Sequence, residues 1–253
     1  MIQLEGRKVL VTGGSRGIGR AAALMFARCG ADVAVSYASD VRSAEFVRDE
    51  IHKQGRRCLA VKADLGSRLE AVRLVEAVFA QWGEIDTLVN NAGVWTYGEI
   101  GSMDEKTWRE TMSINLDGAF HVTNAVVPVL KTMKKVWIVN VASTAAVRGE
   151  ALHSHYAASK GALVSWTKSL AVELAPWNIL VNCVAPGWVD TDMCAGAFSD
   201  PAAKERVRRS IPLRRIPPAE DIAGPIVFLA SPLARHITGE VLNVNGGSVL
   251  CGG

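Results

Sequence analysis

A tyrosine and a lysine stand four residues apart in His155-Tyr156-Ala157-Ala158-Ser159-Lys160, with Ser143 thirteen residues before the tyrosine. A phenol with its ordinary pKa near ~10 is a poor base at neutral pH. On a helix, a lysine four positions on shares the tyrosine's face. Its positive charge favours tyrosinate and draws the pKa toward working pH. Ser143 can donate a hydrogen bond to a carbonyl oxygen and stabilise the negative charge that develops there. The three together suit proton transfer at a carbonyl or an alcohol. A tyrosine–lysine pair also arises on any solvated helix face, so this reading depends on what else the chain carries.

The chain also carries a glycine-rich turn, Thr12-Gly13-Gly14-Ser15-Arg16-Gly17-Ile18-Gly19, between an apolar run and a helical pattern. Glycines there let the backbone turn tightly and let phosphates approach the helix N-terminus, where free N–H groups and the helix dipole attract anions. The spacing is GxxxGxG, and the strand–turn–helix setting favours a dinucleotide over a simple tight turn. NAD usually needs a carboxylate at the tip of the second strand. That strand ends Ser36-Tyr37-Ala38-Ser39 without one, while Arg16 and Arg42 are close in sequence. Cations without an acid suit the extra phosphate of NADP. Asp40 keeps NAD possible.

These residues need a frame to hold them. Strands are expected at 8–12, 32–36, 57–61, 87–90, 136–141, 179–184 and 241–244, where β-branched residues cluster. Helical patterns run over 18–29, 40–54, 67–82, 104–133, 155–174 and 220–229. Apolar strands alternating with helices imply a parallel sheet covered on both faces, hence a doubly wound α/β fold of about seven strands. A chain of 253 residues suits one such domain, residues 1–253. The least regular stretch, 187–218, follows a strand end and is a candidate substrate lid.

Net charge is +3, with 28 Lys and Arg against 25 Asp and Glu, and the basic residues are scattered, so no nucleic-acid footprint is indicated. No apolar run approaches the ~20 residues of a membrane span. The five cysteines form no CxxC pair, which argues against a zinc site or disulfide framework and for reduced thiols. No basic-then-apolar leader precedes Lys8-Val9-Leu10-Val11, and a cytoplasmic location is expected.

The ordered set of Thr12 to Gly19, Asp64, Asn90-Asn91-Ala92-Gly93, Asn115, Ser143, Tyr156-xxx-Lys160 and Pro186-Gly187 resembles the short-chain dehydrogenase/reductase family nearly end to end. Within it the chain is most like the 3-oxoacyl-acyl-carrier-protein reductases. The resemblance implies a single Rossmann-type domain and roles residue by residue. Tyr156 would be the acid in reduction and the base in oxidation. Lys160 would bind the nicotinamide ribose and tune Tyr156, and Asn115 would hold a water in a proton relay. The dinucleotide would lie along Gly13, Ser15, Arg16, Gly17, Ile18, Gly19, Tyr37 and Arg42. Asp64 and Leu65 would serve its adenine, Asn91, Ala92 and Gly93 its adenosine ribose side, and Pro186, Gly187, Val189 and Thr191 its nicotinamide end. Trp95 and Trp188 would border the substrate beside Ser143 and Tyr156, with Tyr97 close by; His153 and His155 are read as pocket or surface residues.

The expected activity is NADP-dependent reduction of a 3-oxoacyl thioester or another ketone to a secondary alcohol. The alternatives are an NAD-dependent sugar, polyol or alcohol dehydrogenase and a non-catalytic dinucleotide-sensing module. Carrier-protein reductases tend to present basic residues at the rim, where this chain has Trp177 after Leu174-Ala175-Pro176; Lys134 and Lys135 are possible substitutes. Relatives commonly form homotetramers, and the apolar tail Val249-Leu250-Cys251-Gly252-Gly253 fits burial in one.

Overall fold

The computed structural model describes residues 2–133 and 136–250; Lys134, Lys135 and the tail residues Cys251, Gly252 and Gly253 lie outside the described residues. Seven strands form one parallel sheet in the order β3-β2-β1-β4-β5-β6-β7. They are β1 (Lys8–Val11), β2 (Asp32–Tyr37), β3 (Cys58–Lys62), β4 (Thr87–Asn90), β5 (Val136–Val141), β6 (Ile179–Pro186) and β7 (Val241–Val244). The order reverses at β1, which pairs Val9 with Val33 of β2 on one side and with Thr87 of β4 on the other. In an open parallel sheet that reversal leaves a crevice beyond the carboxyl ends of the strands.

Alternate residues of each strand enter opposite layers, as the two-residue period requires. Val9, Val11, Val33 and Val35 pack with Phe26, Ile51 and Ile226 on one face. Leu10, Ala34, Leu88 and Ile138 pack with Leu74, Val126 and Leu174 on the other. The first layer draws on α1 (Gly17–Arg28), α2 (Val41–Lys53) and α9 (Glu220–Leu229); the second on α3 (Arg68–Trp82), α5 (Gly118–Leu130) and α7 (Ser154–Leu174). Asn90 donates to Asn140 and to Thr123 of α5, both at 2.9 Å, and Asn140 donates to Thr167 of α7 at 2.9 Å. This buried ladder ties the two helices to the sheet at fixed positions.

Three elements differ from the expectation. The pattern over 104–133 is not one helix: α4 (Glu105–Met112) meets α5 through a wide turn at Ser113–Asp117. Single π-turns of this kind often mark functional positions, and Asn115 sits in it. A short α6 (Ala145–Arg148) follows β5. The irregular stretch 187–218 contains α8 (Pro201–Ser210), started by the Asp200 side chain, which accepts from the N–H groups of Ala202 and Ala203. That stretch is held at its base, where the Asp190 N–H donates to Pro217 O at 2.9 Å and Lys204 pairs with Asp190 at 3.0 Å. No described helix is long and apolar enough to cross a membrane.

Candidate active site

The glycine turn leaves β1 and enters α1 with Gly13 at φ 61° and Gly17 at φ 54°, values that side chains rarely adopt. Helices α2, α3 and α4 begin on the side chains of Asp40, Ser67 and Asp104, each accepting from a first-turn N–H. Helix α1 begins on Arg16 with no side-chain cap and no acid in its first turn. Its free N–H groups and positive dipole end face the crevice, an arrangement that fits a dinucleotide's phosphates. The Asn91 amide braces the turn from β4, donating to Thr12 O at 3.0 Å and Gly13 O at 3.1 Å. A Cβ on Gly19 would collide with Gly13 O and Asn91 Nδ2. Gly19→Ala is therefore expected to cost about 1–3 kcal/mol, read as a lower urea midpoint at unchanged slope. An unchanged midpoint would show that the turn has slack.

One cavity of about 500 Å³ runs from this turn to the ends of β5 and β6. Gly13, Ser15, Arg16, Gly17, Ile18, Tyr37, Asp64, Leu65, Asn91, Ala92 and Gly93 line one arm; Ser143, Tyr156, Lys160, Pro186, Gly187, Val189 and Thr191 line the other, with Trp95 and Trp188 over it. Among the residues given a cofactor or catalytic role from sequence, Gly19, Arg42 and Asn115 do not line it, and Tyr97, expected close to the substrate, is exposed outside it. Gly19 acts through packing, as above, and Asn115 is buried behind the wall. Asp40 is absent from the lining too, and its carboxylate accepts from Ser43 N–H at 3.0 Å and Ser43 O–H at 2.6 Å as the cap of α2. Asp64 is not a helix cap: its Oδ1 accepts from Gly66 N–H at 3.0 Å, one turn before Ser67 takes that role.

At the far arm, Tyr156 and Lys160 sit within α7, and Lys160 Nζ lies 5.9 Å from the Tyr156 ring centre. Lys160 donates to Val141 O at 2.9 Å. Asn115 locks the surrounding backbone. Its Oδ1 accepts from Val94 N–H at 2.7 Å, and its Nδ2 donates to Val94 O and to Ser159 Oγ, both at 3.0 Å. Ser159 in turn donates to the carbonyl of Tyr156 at 2.7 Å. A Cβ on Gly93 would lie 3.2 Å from both Asn115 Oδ1 and Lys160 Nζ, so glycine there lets the three groups meet.

Burial dominates the proton affinities. It pushes the Tyr156 hydroxyl up to about 12, against the pull of a Ser143 hydrogen bond and with the negative fields of Glu150 and Cys194. It draws the Lys160 ammonium down to about 8. Against the expectation that Lys160 lowers the Tyr156 pKa, burial raises it, which favours the protonated phenol. A buried phenol beside a hydroxyl and a largely protonated amine can give a proton to an oxygen that gains charge.

His155 is neither a pocket nor a surface residue. It is fully buried, Nε2 lies 2.9 Å from Thr96 Oγ1, and burial holds its pKa low. His153 stacks on Trp95 with centres 4.3 Å apart and planes 8° from parallel. Trp188 meets Trp95 edge-on at 5.6 Å and Phe198 at 5.6 Å. Sequence reasoning missed Phe198, which packs on Trp188, and three charged lining residues, Arg148, Glu150 and Asp192. Nothing local marks them: Arg148 and Glu150 sit in the stretch that the Gly98–His153 bridge joins to the loop after β4, and Asp192 and Phe198 come from the segment after β6.

A family model described as enoyl-(acyl carrier protein) reductase matches residues 13–248. The 3-oxoacyl-[acyl-carrier-protein] reductase FabG of Staphylococcus epidermidis is 38% identical over 241 residues, covering 95% of this chain and 98% of that protein. Among solved structures, a short-chain dehydrogenase from Burkholderia cenocepacia in complex with NADP superposes with a TM-score of 0.91 at 36% identity, over 97% of this chain and 99% of its own. A 3-ketoacyl-(acyl-carrier-protein) reductase from Brucella melitensis complexed with NADH does so at 0.90 and 34%, with the same coverage.

Proposed function

The chain belongs to the short-chain dehydrogenase/reductase family of nicotinamide-dependent oxidoreductases, and from that premise we propose that it reduces a ketone to a secondary alcohol with NADPH. One observation carries the reading: Ser143, Tyr156 and Lys160 wall the same cavity as the uncapped glycine turn. Bound NADPH supplies the hydride. Ser143 orients the substrate carbonyl and donates to its oxygen. Tyr156 delivers its proton to that oxygen as charge builds. Lys160, held by Val141 O, offers its positive charge to Tyr156 and the nicotinamide ribose. Asn115 fixes Val94 and the α7 turn at Ser159, which sets where Tyr156 and Lys160 stand.

NADP is favoured over NAD by what surrounds the end of β2. Arg16, Tyr37 and Ala38 line that arm, and Asp40, the next acid along the chain, is committed to capping α2. A charge-assisted contact to an extra phosphate is worth about 1.5–3 kcal/mol, or roughly 10–100-fold. Titration of the purified protein by nicotinamide fluorescence should therefore give NADPH at least about tenfold tighter than NADH. Equal affinities would sink this assignment and bring forward an oxidative, NAD-linked dehydrogenase of sugars, polyols or alcohols.

The substrate is a small carbonyl compound, and attachment to a carrier protein has weaker support. Trp177, the position where the resemblance calls for a cation at the rim, lies instead after the C-terminal end of α7, outside the cavity lining, with Lys131 Nζ 3.8 Å above its ring. Segment 187–218 is read as the cover over the substrate arm, and Arg42 as a flank of the phosphate arm. A cytoplasmic homotetramer completes the reading. Trp108, Phe120 and Val172 on α4, α5 and α7 and Leu250 near the tail are exposed apolar surface that such an assembly would cover.

A further inference from the structure

The geometry points to Glu150 as a specificity-determining residue. We propose that it selects a neutral, ring-bearing ketone with a hydroxyl next to the carbonyl and turns away the matching anion. The inference rests on the ketoreductase reading and names the substrate class for that same cavity.

Among the described residues the acids lining the cavity are Glu150, whose field reaches Tyr156, Asp64 in the loop after β3, and Asp192 in the segment after β6. Glu150 is half-buried, and burial pushes its carboxyl up, offset by the positive fields of His153 and Arg148 and by a hydrogen bond from the Trp95 side chain. Its field reaches the Tyr156 hydroxyl, where it helps keep the proton on. Arg148 also lines the cavity but is exposed, so water and salt screen its charge more than that of Glu150. A substrate beside Tyr156 therefore meets a carboxylate that accepts hydrogen bonds and repels a second anion.

The backbone that presents Glu150 is held in an uncommon shape. Leu152, two residues on, takes φ 65° without being glycine, and its carbonyl accepts from Gly98 N–H at 2.8 Å. That bond ties the Glu150 loop to the loop carrying Trp95. The same contact lays His153 flat on Trp95, and Trp188 and Phe198 continue the wall from the segment after β6. Trp95 and Trp188, backed by His153 and Phe198, present ring surface to the cavity, and that surface favours a ring over a flexible acyl chain, since stacking adds to burial.

The test compares two ketones that share a phenyl ring and a reactive carbonyl: 2-hydroxyacetophenone, neutral with a hydroxyl, and phenylglyoxylate, anionic. Each is reduced with NADPH by the wild type and by Glu150→Gln, and each is also bound to both proteins with tryptophan quenching as readout. Acetoacetyl-coenzyme A serves as the acyl thioester comparison. The wild type is expected to prefer the hydroxyketone over the anion by at least about 30-fold in kcat/KM, and Glu150→Gln to cut that ratio about tenfold or more. The affinity ratio should move the same way, which a merely structural role of Glu150 would not produce. A ratio unchanged within about twofold in the variant, or a wild type that prefers the thioester or the anion, overturns the inference and leaves the ketoreductase reading standing. No reduction of any of the three overturns both.

Discussion

Tyr156→Phe is expected to lower kcat for ketone reduction by about 10²–10⁴-fold, the range attached to a positioned general acid. The substitution keeps the ring, which is 8% exposed and packed within α7, so stability and NADPH affinity should change little. Because burial holds the phenol at about 12, it is protonated across the working range, and the loss should be similar at pH 6 and pH 8. Steady-state rates at both pH values, with a parallel NADPH titration, check this. A variant that keeps more than about a tenth of wild-type kcat would leave the proton to another donor.

Lys160→Met should be almost as damaging, at roughly 10²–10³-fold in kcat, as for removal of a preorganised electrostatic group. It should also weaken nucleotide binding, which separates it from Tyr156→Phe. The charge itself can be titrated. Burial puts the ammonium at about 8, so the charged fraction falls as pH rises through that value. Reduction that depends on the charge must lose kcat/KM over the same interval, with the limb descending toward high pH. Lys160→Arg carries a cation that does not titrate below pH ~12. Whatever activity that variant retains should lack the limb. A limb that persists in Lys160→Arg would assign it to another group.

Much of this site could be read from the chain because its signals are local. The glycine turn announces itself by backbone demands that few residues other than glycine can meet, and Tyr156 and Lys160 by their spacing on one helix. The sheet followed from runs buried on both faces, and α9 was located at its actual bounds, Glu220–Leu229. What escaped depends on contacts between distant segments. Asn115 was expected inside a continuous helix. The wide turn at Ser113–Asp117 accompanies its bonds to Val94 and Ser159, partners 21 and 44 residues away. The rise in the Tyr156 pKa was not foreseen, because sequence shows a neighbouring charge but not burial. The aromatic wall was partly visible: Trp95 and Trp188 follow motifs and His153 was read as a pocket or surface residue, whereas its stacking on Trp95 and the contact of Phe198 with Trp188 form only when the loops close. Helix α8 did leave a local signal, Asp200-Pro201 before a Lys204, Glu205, Arg208 pattern, which reads as a capped helix start.

Direct hydride delivery to a ketone carbon can be followed with NADPH deuterated at the transferring position of the nicotinamide. The protein is incubated with this cofactor and 2-hydroxyacetophenone, and the product is analysed by mass spectrometry and proton NMR. The account predicts a diol carrying one deuterium on the new carbinol carbon, of a single configuration, and almost none from Tyr156→Phe. An unlabelled alcohol, or tight NADPH binding with no turnover of any ketone offered, would contradict it and return the chain to the class of dinucleotide-binding modules without chemistry.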